Sequence, residues 1–345
     1  MTPKRWLLTA LSFAATLGVS FYMIAGWSHE GASLALPVSA HLFAVLAVAV
    51  EILARSLKLR WSARAAGIRL PLGTAFRTCL GGDFAAAITP ARSGAEPARF
   101  FVLAESGLPS SSALVIIYAE LFLEVFSLAA VVLMVALVFR HAGTVLYTLV
   151  GVVGAYACII LGIGALALFL SRRNTHGPPP RWARRLRLHP GRWRTVQRAL
   201  RKLRATIDSV ERVHKGAAIS AFTASFVHVA IRLTVLPALV LTSVSTVRLA
   251  PLALWPLGFL YGAAVVPAPG GGGAVEMAFR GALGDAIPAQ LFGAALVWWR
   301  FYTFYIYILL GGIAAGSTVL RAIRKTDDYV EEVEQGMTSS EAVGT

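Results

Sequence analysis

Charge is scarce in this chain, and acidic charge scarcer still. Only 14% of its 345 residues are charged, with 17 Asp or Glu against 32 Lys or Arg. No soluble globular class fits that composition. The chain is 57% hydrophobic, its mean hydropathy is +0.68, and apolar runs of about 20 residues recur, the length of a membrane span. Cysteine is almost absent. Cys79 and Cys158 both fall in apolar runs, so no disulfide framework or metal spacing exists and both read as small buried side chains. No His-Glu-x-x-His, Ser/His/Asp constellation or cluster of metal ligands is present. The chain is therefore read as a non-enzyme without metal or cofactor. The net charge of +15 sits mostly in loops between apolar runs, where it marks the cytoplasmic face rather than a nucleic-acid partner.

The loop charges orient the spans. Lys4 and Arg5 precede a first apolar run, about 6–26, read as a retained span and not a signal peptide. The loop 27–36 carries no Lys or Arg, whereas Lys58, Arg60, Arg64 and Arg69 follow a second span over about 34–57. Further spans are expected at about 112–139, 144–170, 217–244 and 289–319. Between the fourth and fifth lies a basic cytoplasmic loop, 171–215, with twelve Lys or Arg from Arg172 to Arg204. Within it Trp193, Val196, Leu200, Leu203 and Ile207 recur at helical spacing, which predicts an amphipathic helix on an anionic membrane surface. A solvated basic linker is the alternative. Residues 1–325 form a single transmembrane domain on this reading, and 326–345 a disordered acidic tail.

Two stretches are too broken for simple spans, 71–106 and 249–288. Each holds Pro, then Gly four positions later, then Glu, then Arg. The first set is Pro90, Gly94, Glu96 and Arg99; the second is Pro269, Gly273, Glu276 and Arg280. Helix breakers and ions at bilayer depth are tolerated where they line a protein cavity. The first stretch predicts two short helices, about 72–89 and 95–105, folded into a re-entrant hairpin. By the span count the two hairpins enter from opposite faces. The expected fold is thus an all-α polytopic membrane protein: about six transmembrane helices plus two oppositely oriented re-entrant helical hairpins in an inverted repeat, both termini cytoplasmic.

The candidate site follows from these breaks. A helix starting after Gly94 or Gly273 points free N–H groups at the hairpin tip and attracts anions. Gly270, Gly271, Gly272 and Gly273 allow close approach of a headgroup, and equally suit tight packing. Glu120 and Glu124 lie one turn apart, with Glu124 about 18 Å into its helix. Arg300 lies about 15 Å into the last span, and Arg232, with His228 one turn before it, is also deep. These residues suggest a central cluster in which Glu96, Glu120, Glu124 and Glu276 offset Arg92, Arg99, Arg232, Arg280 and Arg300. It is either a structural ion-pair network or a site whose surplus arginines hold a lipid phosphate. His228 reads as a helix–helix hydrogen bonder. Glu51 and Arg55, near the end of the second span, read as a local interfacial pair.

Pro90–Arg99 (PARSGAEPAR), residues 267–276 (PAPGGGGAVE) and Arg300 within WWRFYTFYIYILLGG together resemble the lysylphosphatidylglycerol synthase transmembrane-region family, related to the flippase half of the bacterial multiple peptide resistance factor. The resemblance covers about residues 60–315. The chain departs from that pattern where Ala95 separates Gly94 from Glu96, and where Leu121 follows Glu120 in place of the family's arginine. No aminoacyl-transferase domain follows. The resemblance therefore implies the lipid-translocating part, in the bacterial cytoplasmic membrane, with a phospholipid or other lipid-linked anion as substrate. Three alternatives stand beside it: a proton-coupled small-solute carrier using Glu120, Glu124 and His228, a membrane-embedded lipid enzyme, and a non-transporting accessory subunit of envelope or glycolipid assembly. A homo-oligomer or an envelope-synthesis partner is left open.

Overall fold

The computed structural model describes residues 34–89, 92–139, 143–172, 214–263, 266 and 268–318. It also describes 14, 18–23, 25–27, 193–194, 197–198 and 201. Most of the first expected span, most of the amphipathic helix, the acidic tail, Pro90 and Pro267 lie outside the described residues. Those residues are helical and carry no strand.

Among the described residues ten helices follow one another: α1 (Val38–Ala65), α2 (Leu72–Ile88), α3 (Ala95–Glu105), α4 (Ser110–Val138), α5 (Thr144–Arg172), α6 (Lys215–Arg232), α7 (Val235–Leu241), α8 (Leu249–Gly262), α9 (Ala274–Leu283) and α10 (Ala289–Arg300). Proline sets many of the starts. Pro37, Pro71, Pro109 and Pro288 stand immediately before α1, α2, α4 and α10. Proline lacks an N–H and biases the preceding residue out of the helical region, so chain before it tends not to join the helix. Gly67 and Gly107, at φ 76° and 87°, follow the ends of α1 and α3, a left-handed stop that glycine adopts without strain.

Among the described residues four helices are long and apolar enough to cross a membrane: 110–138, 146–163, 215–241 and 289–318. The third joins α6 to α7 across a break at Leu233–Thr234, and the fourth continues α10 through a π-turn at Phe301–Tyr305. The second expected span, α1, is long enough at 28 residues. It also runs past residue 57, because Lys58 is not the start of a loop but a fully buried residue of the helix. Its Glu51, Arg55 and Lys58 share one face at i, i+4 and i+7.

The order of elements repeats. A long helix, two short ones and a long one (α1, α2, α3, α4) are matched by α6–α7, α8, α9 and α10 with its continuation. α1 packs most extensively against α6. Both helices carry buried small residues, Ala40, Ala44 and Ala47 on α1 and Ala217, Ala221 and Ser225 on α6. Small side chains let helix backbones approach closely. Large apolar groups such as Leu42, Phe126, Leu133, Ile159 and Ile313 point outward, as lipid-facing side chains do.

Candidate functional site

The charged face of α1 organises the interior. Arg55 forms a bidentate pair with Asp83 of α2. Glu51 lies 2.9 Å from His228 Nδ1 and 3.9 Å from Arg232 NH1, and accepts the Tyr307 hydroxyl at 2.7 Å. Lys58 places its ammonium 2.8 Å from both Glu120 and Glu124. Glu120 also takes Arg99 at 2.8 Å, and Glu124 accepts the Tyr261 hydroxyl at 3.2 Å. One helix thus ties α2, α4 and α6 together through ion pairs, and holds the last span through the Tyr307 hydroxyl. Such groups persist inside a membrane because each faces an opposite charge or a hydrogen-bond donor.

The sequence expectation for Glu51 and Arg55 is corrected here. They do pair one turn apart, at 3.8 Å, but not at an interface: both are buried, and their shorter contacts are to other helices. Lys58 and Asp83 also belong to the network, although composition alone marked one as loop charge and the other as a helix interruption. The i, i+4, i+7 spacing of Glu51, Arg55 and Lys58 was the signal available for them.

A cavity of about 40 Å³ lies between the hairpin regions, room for a few waters. Arg92, Arg232 and Arg300 all line it, with Asp83, Gly270 and Tyr307. Each arginine sits at a backbone irregularity. Arg92 has φ 55° between α2 and α3, uncommon for a residue with a side chain. Arg232 is the last residue of α6, and Arg300 directly precedes the π-turn. Single π-turns recur at functional sites; in this one the Thr303 carbonyl accepts from Arg232 at 3.1 Å. Arg300 pairs with Glu276 at 2.8 Å and donates to the Gly270 carbonyl at 3.2 Å. Arg92 makes no ion pair with any described residue. Asp83, the acid nearest in kind, is already occupied by Arg55.

The other sequence candidates fall elsewhere. Arg99, Glu120 and Glu124 form the separate cluster around Lys58, with Glu96 at its edge, 3.4 Å from Arg99 and 40% exposed. Arg280 is exposed and stacks over Trp27, 4.7 Å from the ring centre. The glycine run is a tight turn: Gly270, Gly271 and Gly273 have φ of 60°, 66° and 79°, and a Cβ on Gly270 would overlap the Phe304 ring. Gly272 joins them in an extended conformation. Gly273 and Gly94 do not present free N–H groups. The first donates to the Glu276 carboxylate at 2.7 Å and the second to the Thr89 hydroxyl at 2.9 Å. The charged groups that line the cavity are the guanidiniums of Arg92, Arg232 and Arg300 and the carboxylate of Asp83. No group of three or more potential metal ligands occurs among the described residues.

No curated protein matches the chain. The family model described as the lysylphosphatidylglycerol synthase TM region matches residues 7–311. That match spans both hairpin stretches, the ion-bearing α1 and the arginine-lined cavity, and the chain belongs to that membrane-protein family.

Proposed function

We propose that the protein translocates a phospholipid or another lipid-linked anion between membrane leaflets, as a carrier and not as an enzyme. The observation that carries this reading is the convergence of Arg92, Arg232 and Arg300 on one cavity, with Arg92 unpaired among the described residues. Guanidinium groups match a phosphate through paired N–H donors. Membership in a family named for lysylphosphatidylglycerol synthesis supports a lipid substrate. The repeated long–short–short–long order supports the finer architecture: six spans and two re-entrant hairpins in inverted orientation, with both termini on the cytoplasmic face of a bacterial inner membrane. Opposed hairpins meeting at one anion site are suited to opening it to alternate leaflets.

Reconstitution in liposomes with leaflet-resolved fluorescent lipids tests the proposal. Protein-dependent movement of an anionic lipid is the expected result. No protein-dependent movement of anionic or zwitterionic lipids would refute it.

One observation favours a second reading. His228 and Glu51, in contact beside Arg232, are suited to a proton-coupled carrier of a small anion. Proton uptake that follows a soluble anion, with no lipid movement, is its signature.

A further inference from the structure

A second cationic site lies away from the central cavity, where α1 ends and α6 begins. An open basin of about 1100 Å³ is lined there by Arg60, Arg64, Arg69, Lys215 and His214, with no acid among its lining residues. The cations are held in two ways. Arg60 and Arg64 lie over the ring of Trp61, at 5.9 and 5.4 Å from its centre, which fixes two guanidinium groups on one aromatic platform. The His214 N–H donates to the Ala65 carbonyl at 3.2 Å, which ties the start of α6 to the end of α1. The α6 N-terminus has no side-chain cap, so its first N–H groups add partial positive charge on the same side.

The rest of the lining is apolar. Ile68, Leu70 and Pro71 complete the basin, on the segment that leads from α1 into α2. A cationic floor beside an apolar wall suits a ligand with adjoining phosphate and acyl parts. A soluble anion would leave the wall without a partner. The width of the basin, and cations from two separate chain segments, suit two phosphates better than one.

We propose that this basin binds a membrane lipid whose headgroup carries two phosphates, and that the bound lipid fastens α1 to α6. The two helices belong to opposite halves of the repeated fold and form its main contact. A lipid bridging Arg60, Arg64 and Arg69 on one side and Lys215 on the other clamps those halves at one end. Basic pockets between transmembrane helices are recognised binding places for polyanionic headgroups. This site is separate from the translocation cavity and is read by binding, not by lipid movement.

The test is thermal unfolding of the full chain in zwitterionic lipid–detergent micelles. It is titrated with diphosphatidylglycerol, with phosphatidylglycerol at matched phosphate, and with inorganic pyrophosphate. Diphosphatidylglycerol should raise the unfolding temperature and saturate at the lowest phosphate concentration. The combined variant Arg64→Gln, Arg69→Gln and Lys215→Gln should weaken that response at least about tenfold, since each surface cation contributes to anionic-lipid binding. Arg248→Gln, an exposed arginine outside the basin, should leave it unchanged. Arg69→Gln and Lys215→Gln are also exposed and are measured singly, so that a folding defect in the combined variant cannot mimic the result. Equal effects of the two lipids at matched phosphate would overturn the proposal in favour of general surface attraction. Equal stabilisation by pyrophosphate would overturn it in favour of a soluble ligand, and an unchanged response in all three basin variants would overturn the site.

Discussion

The two hairpin regions hold the same residue types and use them with opposite sign. In the first, Arg99 of α3 is buried and reaches Glu120, about 15 Å into the following long helix. Its neighbour Glu96 lies at the edge of the Lys58 cluster, half-buried and 3.4 Å from Arg99. In the second, Glu276 of α9 is buried and reaches Arg300, at a similar depth in the following long helix. Its neighbour Arg280 is turned out over Trp27. Both halves therefore lock a hairpin to the next helix with one buried pair. The swap of sign decides where the guanidinium comes from. In the first half it lies on the hairpin and turns to the Lys58 cluster; in the second it lies on the long helix and faces the cavity.

The largest expected effect comes from breaking the lock in the first half. Lys58→Ala leaves the buried Glu120 with Arg99 as its one cation, and the partly buried Glu124 with the Tyr261 hydroxyl but no ion pair among the described residues. Removing one partner of a buried ion network costs about 3–5 kcal/mol. The expected outcome is loss of most folded protein, measured by thermal unfolding and by monodispersity in detergent. Little change would mean that water reaches those carboxylates.

Next comes the glycine turn between α8 and α9, inside the second half. Gly270→Ala places a methyl group against Phe304 and holds a side chain at φ 60°. Strain of this kind costs about 1–3 kcal/mol. Unfolding temperature should fall, and the Arg300–Gly270 contact should loosen. Gly272, which has no positive φ, should accept the same change with less loss.

A pair of variants sharpens the sign swap. Arg99→Gln should mainly lower stability, because its charge is committed to Glu120 and Glu96. Arg300→Gln should lower both stability and lipid movement, because Arg300 faces the cavity as well as Glu276. Equal loss of movement per degree of stability lost would remove the distinction between the two halves.

Much of this arrangement was legible in the sequence. The two short helices of the first hairpin are expected at 72–89 and 95–105 and occur at Leu72–Ile88 and Ala95–Glu105, because Pro71, Gly94 and Gly107 punctuate the chain locally. The sign swap was not legible. Whether Glu276 or Arg280 turns inward depends on Arg300, far along the chain, and on a Trp27 ring that stacks the outward arginine. Lys58 was misplaced because a lysine after an apolar run resembles a loop charge; only the carboxylates of α4 keep it inside. The π-turn at Phe301–Tyr305 carries no breaker residue to announce it. It is stabilised by tertiary contacts, Arg232 at the Thr303 carbonyl among them.

The smallest expected effect on stability contrasts with the largest expected effect on function. Arg92 has no buried ionic partner among the described residues and lies at a strained φ, so Arg92→Gln should leave the unfolding temperature nearly unchanged. Arg280→Gln should also leave it nearly unchanged, and it removes the same charge from outside the cavity. Leaflet-resolved lipid movement in liposomes, compared for the wild type and these two variants, is the direct test. The account predicts that Arg92→Gln slows movement of an anionic lipid at least about tenfold, the rate equivalent of one lost charge-assisted contact, while Arg280→Gln moves it at the wild-type rate. Equal rates for all three proteins, or a greater loss for Arg280→Gln, would contradict it.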